Sequence, residues 1–330
     1  MEKRSALNIT TNYFCNQKCF FCIDHNKHFL SFLKSETDEK IYKMIDDWVF
    51  NYENIVFTSW EPTLNKNFWK YISYAKKCGY KNISIITNWS TLEDKVVRDK
   101  IIHSWLDEIV ISIHWLWKLH DKTVWIDGMF NKVVKWLHLL LKNKKNSLKV
   151  SLSFVMTSLN YKILNKYITF FINLWVNQII INTLRPEGYS SWSNFSKFFF
   201  SFDKFISFYK SLEIKELDYI NKLILNKKIV FVDMLPCVMK QAWLLTEWVW
   251  TVEIRSTFST ENWKDWNILY WKEEQNKKTY KNQWNEIIDN NNTQKKYINK
   301  CEECILKNSC EWVNIYYIEY FWIKWILPVK

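Results

Sequence analysis

Six short β-rich runs alternate with longer amphipathic runs over the first two-thirds of the chain, and this rhythm restricts the fold more than any other feature. The β-rich runs fall at 6–11, 54–57, 82–86, 108–113, 149–155 and 178–182. Between them, apolar residues recur at helical spacing over 36–50, 65–77, 92–104, 130–141 and 161–174, and a further helix is predicted at about 202–212. Strands separated by helix-length crossovers pair in parallel and bury both faces under helices. Six such units, rather than eight, predict a partial (β/α)6 TIM-like barrel, with any chemistry at the C-terminal ends of the strands. After about residue 213 the rhythm changes to a helix over 212–228, then short strands and polar loops. The expected organisation is therefore a core over 1–215 and a small α+β cysteine-rich domain over 216–330. No uncharged run of about 18 residues is present, so no membrane span is expected. The chain does not open on a secretory signal, which points to the cytoplasm and reduced thiols.

Glycine usage conflicts with this plan. At about 7% average usage a chain of this length carries about 23 glycines; this one has 3, with 21 tryptophans. Tight turns and helix ends need a residue free to adopt positive φ, which is glycine's particular property. Tryptophan stands where glycine is needed: in "TNWS" after a strand, "HWLW" after another and "NLWV" after a helix. The reading is that most of these tryptophans stand for glycine, encoded by UGA and translated under the wrong table. A net charge of +12 is spread among Asn, Ile, Tyr and Phe along the whole chain. It speaks for solubility and general attraction to anions, and nucleic acid is not the favoured partner.

The eight cysteines divide into two groups and a remainder. Cys15, Cys19 and Cys22 follow the first strand with three and two residues between them. Cys237, Cys301, Cys304 and Cys310 form the second group, and Cys78 stands alone as an ordinary thiol. In a reducing compartment such short spacings suggest metal rather than disulfides. Three close thiolates suit a [4Fe–4S] cluster that leaves one iron open to a ligand; a zinc site completed by His25 or His28 is the alternative. The second group has enough ligands for a closed site, holding either a second [4Fe–4S] cluster or zinc.

The triad, with the aromatic Phe21 before its last cysteine, resembles the signature of the radical S-adenosylmethionine superfamily. "TSWEPTL" after the second strand resembles that family's Gly-Gly-Glu-Pro loop, with Ser59 and Trp60 in the glycine positions. "ITNWSTL" after the third strand resembles its Thr-Asn-Gly turn, and "NTLRPEG" after the sixth is similar to another of its stretches. So is the run from "ISIH" onward, once Trp115, Trp117, Trp125 and Trp136 are read as glycine. The resemblance covers roughly residues 5–190. It implies that Cys15, Cys19 and Cys22 hold a [4Fe–4S] cluster whose open iron chelates S-adenosylmethionine. Reductive cleavage then gives a 5′-deoxyadenosyl radical, which abstracts hydrogen from a substrate. Phe21 is expected beside the cluster or the adenine, and the loop at Ser59, Trp60 and Glu61 beside the cofactor's amino group, with the Glu61 carboxylate as a charge-assisted acceptor. Asn88, Ser112, His114 and Arg185 are expected to reach its ribose or carboxylate. An indole at position 60 would fill space that the cofactor needs.

The second group, followed by Trp312 and an aromatic tail, resembles the auxiliary-cluster (twitch or SPASM-like) domains that follow many such cores. Domains of this kind accompany enzymes that modify peptides, so the first expectation is a peptide or protein maturase served by an external electron donor such as flavodoxin or ferredoxin. Only 14 residues precede Cys15, so a peptide is expected to dock elsewhere, for instance on a sheet edge. Alternatives are a radical enzyme acting on a nucleotide, RNA or another small molecule, and a non-enzymatic metal-binding protein.

Overall fold

The computed structural model describes residues 6–24, 37–185, 197–232, 234–244, 295–296, 303 and 313–314. It divides into two compact units, Met1–Phe200 with Lys222–Val232, and Ser201–Asn221 with Asp233–Lys330. The first unit is built on seven parallel strands in sequential order: β1 (Leu7–Ile9), β2 (Asn54–Phe57), β3 (Asn82–Thr87), β4 (Glu108–Ser112), β5 (Lys149–Met156), β6 (Gln178–Thr183) and β7 (Ile229–Val232). Helices α1 (Asp38–Trp48), α2 (Phe68–Cys78), α3 (Lys95–His103), α4 (Lys118–Val124), α5 (Met129–Asn143) and α6 (Leu164–Ile172) make the crossovers. This is a partial α/β barrel, as the strand–helix rhythm predicts. The sixth crossover, between β6 and β7, contains α7 (Phe202–Lys210) and α8 (Ile214–Leu225), and α9 (Pro236–Gln241) follows β7. A short antiparallel pair, β8 (Lys295–Lys296) with β9 (Val313–Asn314), lies in the second unit.

Register explains the core. Ile55 pairs with Ile83, Ile85 with Ile109, Ile109 with Val150, Leu152 with Ile179 and Ile179 with Ile229. All of these side chains are buried, each stabilising the fold by about 1.5–3 kcal/mol. Local signals agree with the packing. Thr37 caps α1 by accepting from the Lys40 N–H, and Asp38 and Glu39 occupy its positive end. The Asp121 carboxylate accepts from the N–H groups of Gly128 and Phe130 and so fixes the start of α5.

The seventh strand is an addition to the six expected. Its run Ile229-Val230-Phe231-Val232 lies beyond two helices, where the sequence rhythm has already changed, and four apolar residues carry no periodicity of their own. The expected boundary near 215 falls within α8, and β7, further along the chain, belongs to the first unit.

Eight described residues other than glycine have positive φ, and six are tryptophan: Trp60, Trp89, Trp117, Trp125, Trp175 and Trp243; the others are Ser59 and Lys227. Gly79 and Gly128 share this region of backbone space. A residue with a Cβ is destabilised there by about 1–2 kcal/mol. Trp117 is more extreme, at φ 53° and ψ −140°, close to a region that glycine alone occupies freely.

Candidate active site

The C-terminal ends of β1, β2 and β3 bring the expected loops together. Asn12, just past β1, accepts from the Phe14 N–H at 2.8 Å and donates through Nδ2 to the Glu61 carbonyl at 2.8 Å. The Glu61 N–H donates in return to the Phe14 carbonyl at 3.2 Å. The cysteine loop is thus stitched to the loop after β2. Asp24, two residues beyond the triad, adds a further stitch by accepting from the Trp60 N–H at 3.3 Å.

The three thiols lie within electrostatic reach of one another. Burial holds the Cys19 thiol well above its ordinary pKa, and the neighbouring Cys22 and Cys15 add to the shift. Burial likewise pushes Cys15 up to about 11, opposed by hydrogen bonds from the Gln17 N–H at 3.4 Å and the Asn88 Nδ2 at 3.5 Å. Three thiolates cannot be held this close in a poorly solvated loop without a cation to balance them, whereas iron displaces the protons and removes the repulsion. Among the described residues no three His, Cys, Asp or Glu side chains gather around a single-ion site. A cluster with a separate iron for each thiolate asks for wider spacing than one ion does. The donor set fits an iron–sulfur cluster. His25 and His28, the ligands of the zinc alternative, lie outside the described residues.

The loop after β2 also fits its expected ligand. Ser59 and Trp60 have φ of 65° and 51°, the backbone of a Gly-Gly pair, which lets main-chain groups approach a ligand closely. Glu61 is fully buried. Its Oε1 accepts from the Thr63 N–H at 3.1 Å, the Thr63 hydroxyl at 2.5 Å and the Thr87 hydroxyl at 2.7 Å, and its Oε2 from the Asn88 N–H at 2.6 Å. Burial raises its pKa against the opposing pull of these bonds. The carboxylate therefore ties the loops after β2 and β3 together, with three hydrogen bonds on Oε1 and one on Oε2.

Asn88 completes the link to the cysteines. Its Nδ2 donates to Cys15 Sγ and to Asn16 Oδ1 at 2.9 Å, while its Oδ1 accepts from the Ser90 N–H at 3.0 Å. Phe21 is buried and meets the His114 ring edge-on, with centroids 4.7 Å apart. Ser112 ends β4 half-buried. His114 lies two residues beyond the end of the strand. The His114 Nδ1 accepts from the Val155 N–H at 3.1 Å, which leaves the proton on Nε2, and burial depresses its pKa to about 3. Arg185, half-buried, follows β6 at the same edge of the sheet.

Sequence reasoning missed four residues here: Asn12, Gln17, Asp24 and His120. The Asn12 bond to Phe14 two residues on is an Asx turn, for which Asn in a loop is a fair signal. Asp24 and Gln17 carry no such mark. His120, on α4, is fully buried with neither ring nitrogen hydrogen-bonded within the described residues, and burial lowers its pKa to about 4. In the second group, Cys237 lies half-buried on α9; Cys301, Cys304 and Cys310 lie outside the described residues.

A parallel partial barrel with a half-buried cysteine triad after β1 and a Gly-Gly-like loop after β2 defines a class of catalytic domain. Residues 9–170 match the Radical SAM superfamily, and the chain carries a radical SAM domain. A "Probable GTP 3',8-cyclase" of Saccharolobus islandicus is 25% identical over 224 residues, which are 68% of this chain and 67% of that protein. One from Sulfurisphaera tokodaii is 28% identical over 183 residues, 55% of this chain and 56% of its own. Among solved structures, Streptococcus suis SuiB bound to precursor peptide SuiA superimposes with a TM-score of 0.56 at 15% identity, over 73% of this chain. The chain spans about half (51%) of the length of SuiB. Native anSMEcpe with bound AdoMet matches with a TM-score of 0.53 at 16% identity, over 96% of this chain and 94% of that one. At these identities the two structures speak for the fold alone. No helix among the described residues is long and apolar enough to cross a membrane.

Proposed function

We propose that the protein is a radical S-adenosylmethionine enzyme acting on a peptide or protein. The observation that carries the chemistry is the cysteine triad stitched to a Gly-Gly-like loop by Asn12, Asp24, Glu61 and Asn88. Cys15, Cys19 and Cys22 would hold the [4Fe–4S] cluster, and the backbone at Ser59 and Trp60 would receive the amino-acid end of S-adenosylmethionine. When bound, cluster and cofactor supply one-electron chemistry that ends in hydrogen abstraction from the substrate. The protein's own part is positional. Phe21 and His114 close one side of the site to water, Asn88 orients the Cys15 sulfur, and Glu61 keeps two loops at a fixed separation. Arg185 and Ser112 are the side chains proposed for the cofactor's carboxylate and ribose. Electrons would come from a separate small donor such as flavodoxin or ferredoxin.

The peptide assignment draws on the second cysteine group, Cys237 with Cys301, Cys304 and Cys310, read as the ligands of an auxiliary [4Fe–4S] cluster in a SPASM-like domain, with zinc as its rival. A nucleotide substrate is the second reading, favoured by the relatives named as probable GTP 3′,8-cyclases. Both readings rest on our inference that UGA is read as glycine in the source organism, without which residue 60 would obstruct the cofactor. The separating experiment is anaerobic turnover with substrate-derived deuterium. Deuterium passing from a labelled peptide pool into 5′-deoxyadenosine supports the maturase. Deuterium passing from labelled GTP, with none from peptide, replaces it with the nucleotide reading.

A further inference from the structure

The backbone itself distinguishes which tryptophans are affected. We infer that residues 60, 89, 117, 125, 175 and 243 are glycine in the protein the cell makes. This rests on the UGA reading above and gives it positions.

Tryptophan supplies 21 of 330 residues, so eight left-handed non-glycine positions chosen without regard to residue type would include fewer than one. They include six. Left-handed backbone is uncommon for any residue with a Cβ and is least suited to a bulky one. Both described glycines, Gly79 and Gly128, lie in the same region. Ser59 and Lys227 show that another residue can be held there, so the argument rests on the concentration of one residue type rather than on any single φ.

Each of these positions also does work that glycine ordinarily does. Gly79 ends α2 in the left-handed conformation, its N–H donating to the carbonyls of Ala75 and Lys76. Trp125 ends α4 in the same way, donating to the Asp121 carbonyl. Trp175 follows α6 and donates to the Ile172 carbonyl at 2.9 Å; Trp243 follows α9 and donates to the Lys240 carbonyl at 3.1 Å. These are glycine's stations at helix C-termini. The other three positions, 60, 89 and 117, lie in the loops after β2, β3 and β4, where glycine would open main-chain groups to a ligand.

An indole contributes to a fold through its ring and its N–H. Trp117, Trp125 and Trp175 are 58%, 73% and 86% exposed, so their rings gain little from packing; Trp243, 55% exposed, has only the Lys210 ammonium recorded over its ring, 5.6 Å from the centroid. Trp89 is buried, yet its Nε1–H has no acceptor among the described residues, which is costly for a buried donor. Trp115 shares that unpaired Nε1–H without the left-handed backbone and is not assigned.

The test is peptide sequencing by mass spectrometry on protein purified from the source organism. Glycine at all six positions is the expected result, each peptide lighter by the indole side chain. Tryptophan at any of the six overturns the assignment. Glycine at other tryptophan positions but not at these would leave the UGA reading standing and defeat the geometric argument alone. Tryptophan throughout would defeat both, while the radical chemistry is judged separately by iron content and cofactor cleavage. As a second arm, the full chain made with glycine at the six positions should melt at a higher temperature than the chain as written. An equal or lower melting temperature would contradict the inference.

Discussion

Glu61 and Asn88 show how little of the site's organisation depends on direct contact with a ligand. Glu61 uses its carboxylate to tie Thr63, Thr87 and Asn88, and Asn88 in turn donates to the Cys15 sulfur. Hydrogen bonds to cluster sulfurs favour the reduced state and so raise the potential. Asn88→Ala should therefore lower the midpoint potential of the reconstituted cluster, read by redox titration followed by electron paramagnetic resonance. An unchanged potential would mean that the N–H···S contact is lost once iron binds.

His114 and His120 make a second prediction at this scale. Burial lowers their pKa values to about 3 and about 4, from 6.5, with His120 also disfavouring charge on His114. Below pH 6.5 the unfolded chain takes up protons that the folded chain refuses. Stability is thus retained above that value and lost as pH falls toward 4, by about 1.4 kcal/mol per unit for each group while the difference persists. His120→Phe should flatten this slope in chemical denaturation between pH 6.5 and 4.5. A slope equal to that of the parent protein would show that His120 is solvated or charged in the fold.

At the scale of elements, the helix ends dominate. Trp175 is exposed and left-handed after α6, so Trp175→Gly should stabilise the chain as written by about 1–2 kcal/mol, measured by equilibrium unfolding. A loss of stability would mean that the indole packs better than its exposure suggests. Much of the element plan is legible in the sequence, because parallel strands buried on both faces read as short β-branched runs such as Ile83 to Ile86. The β2 span is expected and found at the same residues. Three elements escape: β7, four apolar residues placed beyond two helices where the rhythm has already changed; α4, seven residues opened by Trp117; and α9, six residues in a stretch expected to hold short strands and loops. The cysteine triad and the loop after β2 are legible from spacing. Asp24 and His120 are not, because their partners are distant in sequence and only the fold brings them into place.

For the whole molecule, the partial barrel positions loops from three consecutive strands around one cysteine triad, and the chain carries a radical SAM domain. The central chemistry turns on Cys19, whose thiol is held well above its ordinary pKa by burial, with Cys22 and Cys15 adding to the shift. The decisive measurement is 5′-deoxyadenosine formation from S-adenosylmethionine by the anaerobically reconstituted, reduced protein carrying glycine at residue 60, beside the same protein with Cys19→Ala. The account predicts product from the first and none from the second, with loss of the cluster's absorbance in the variant. Equal product from both, or none from a protein whose cluster is fully formed, would contradict it.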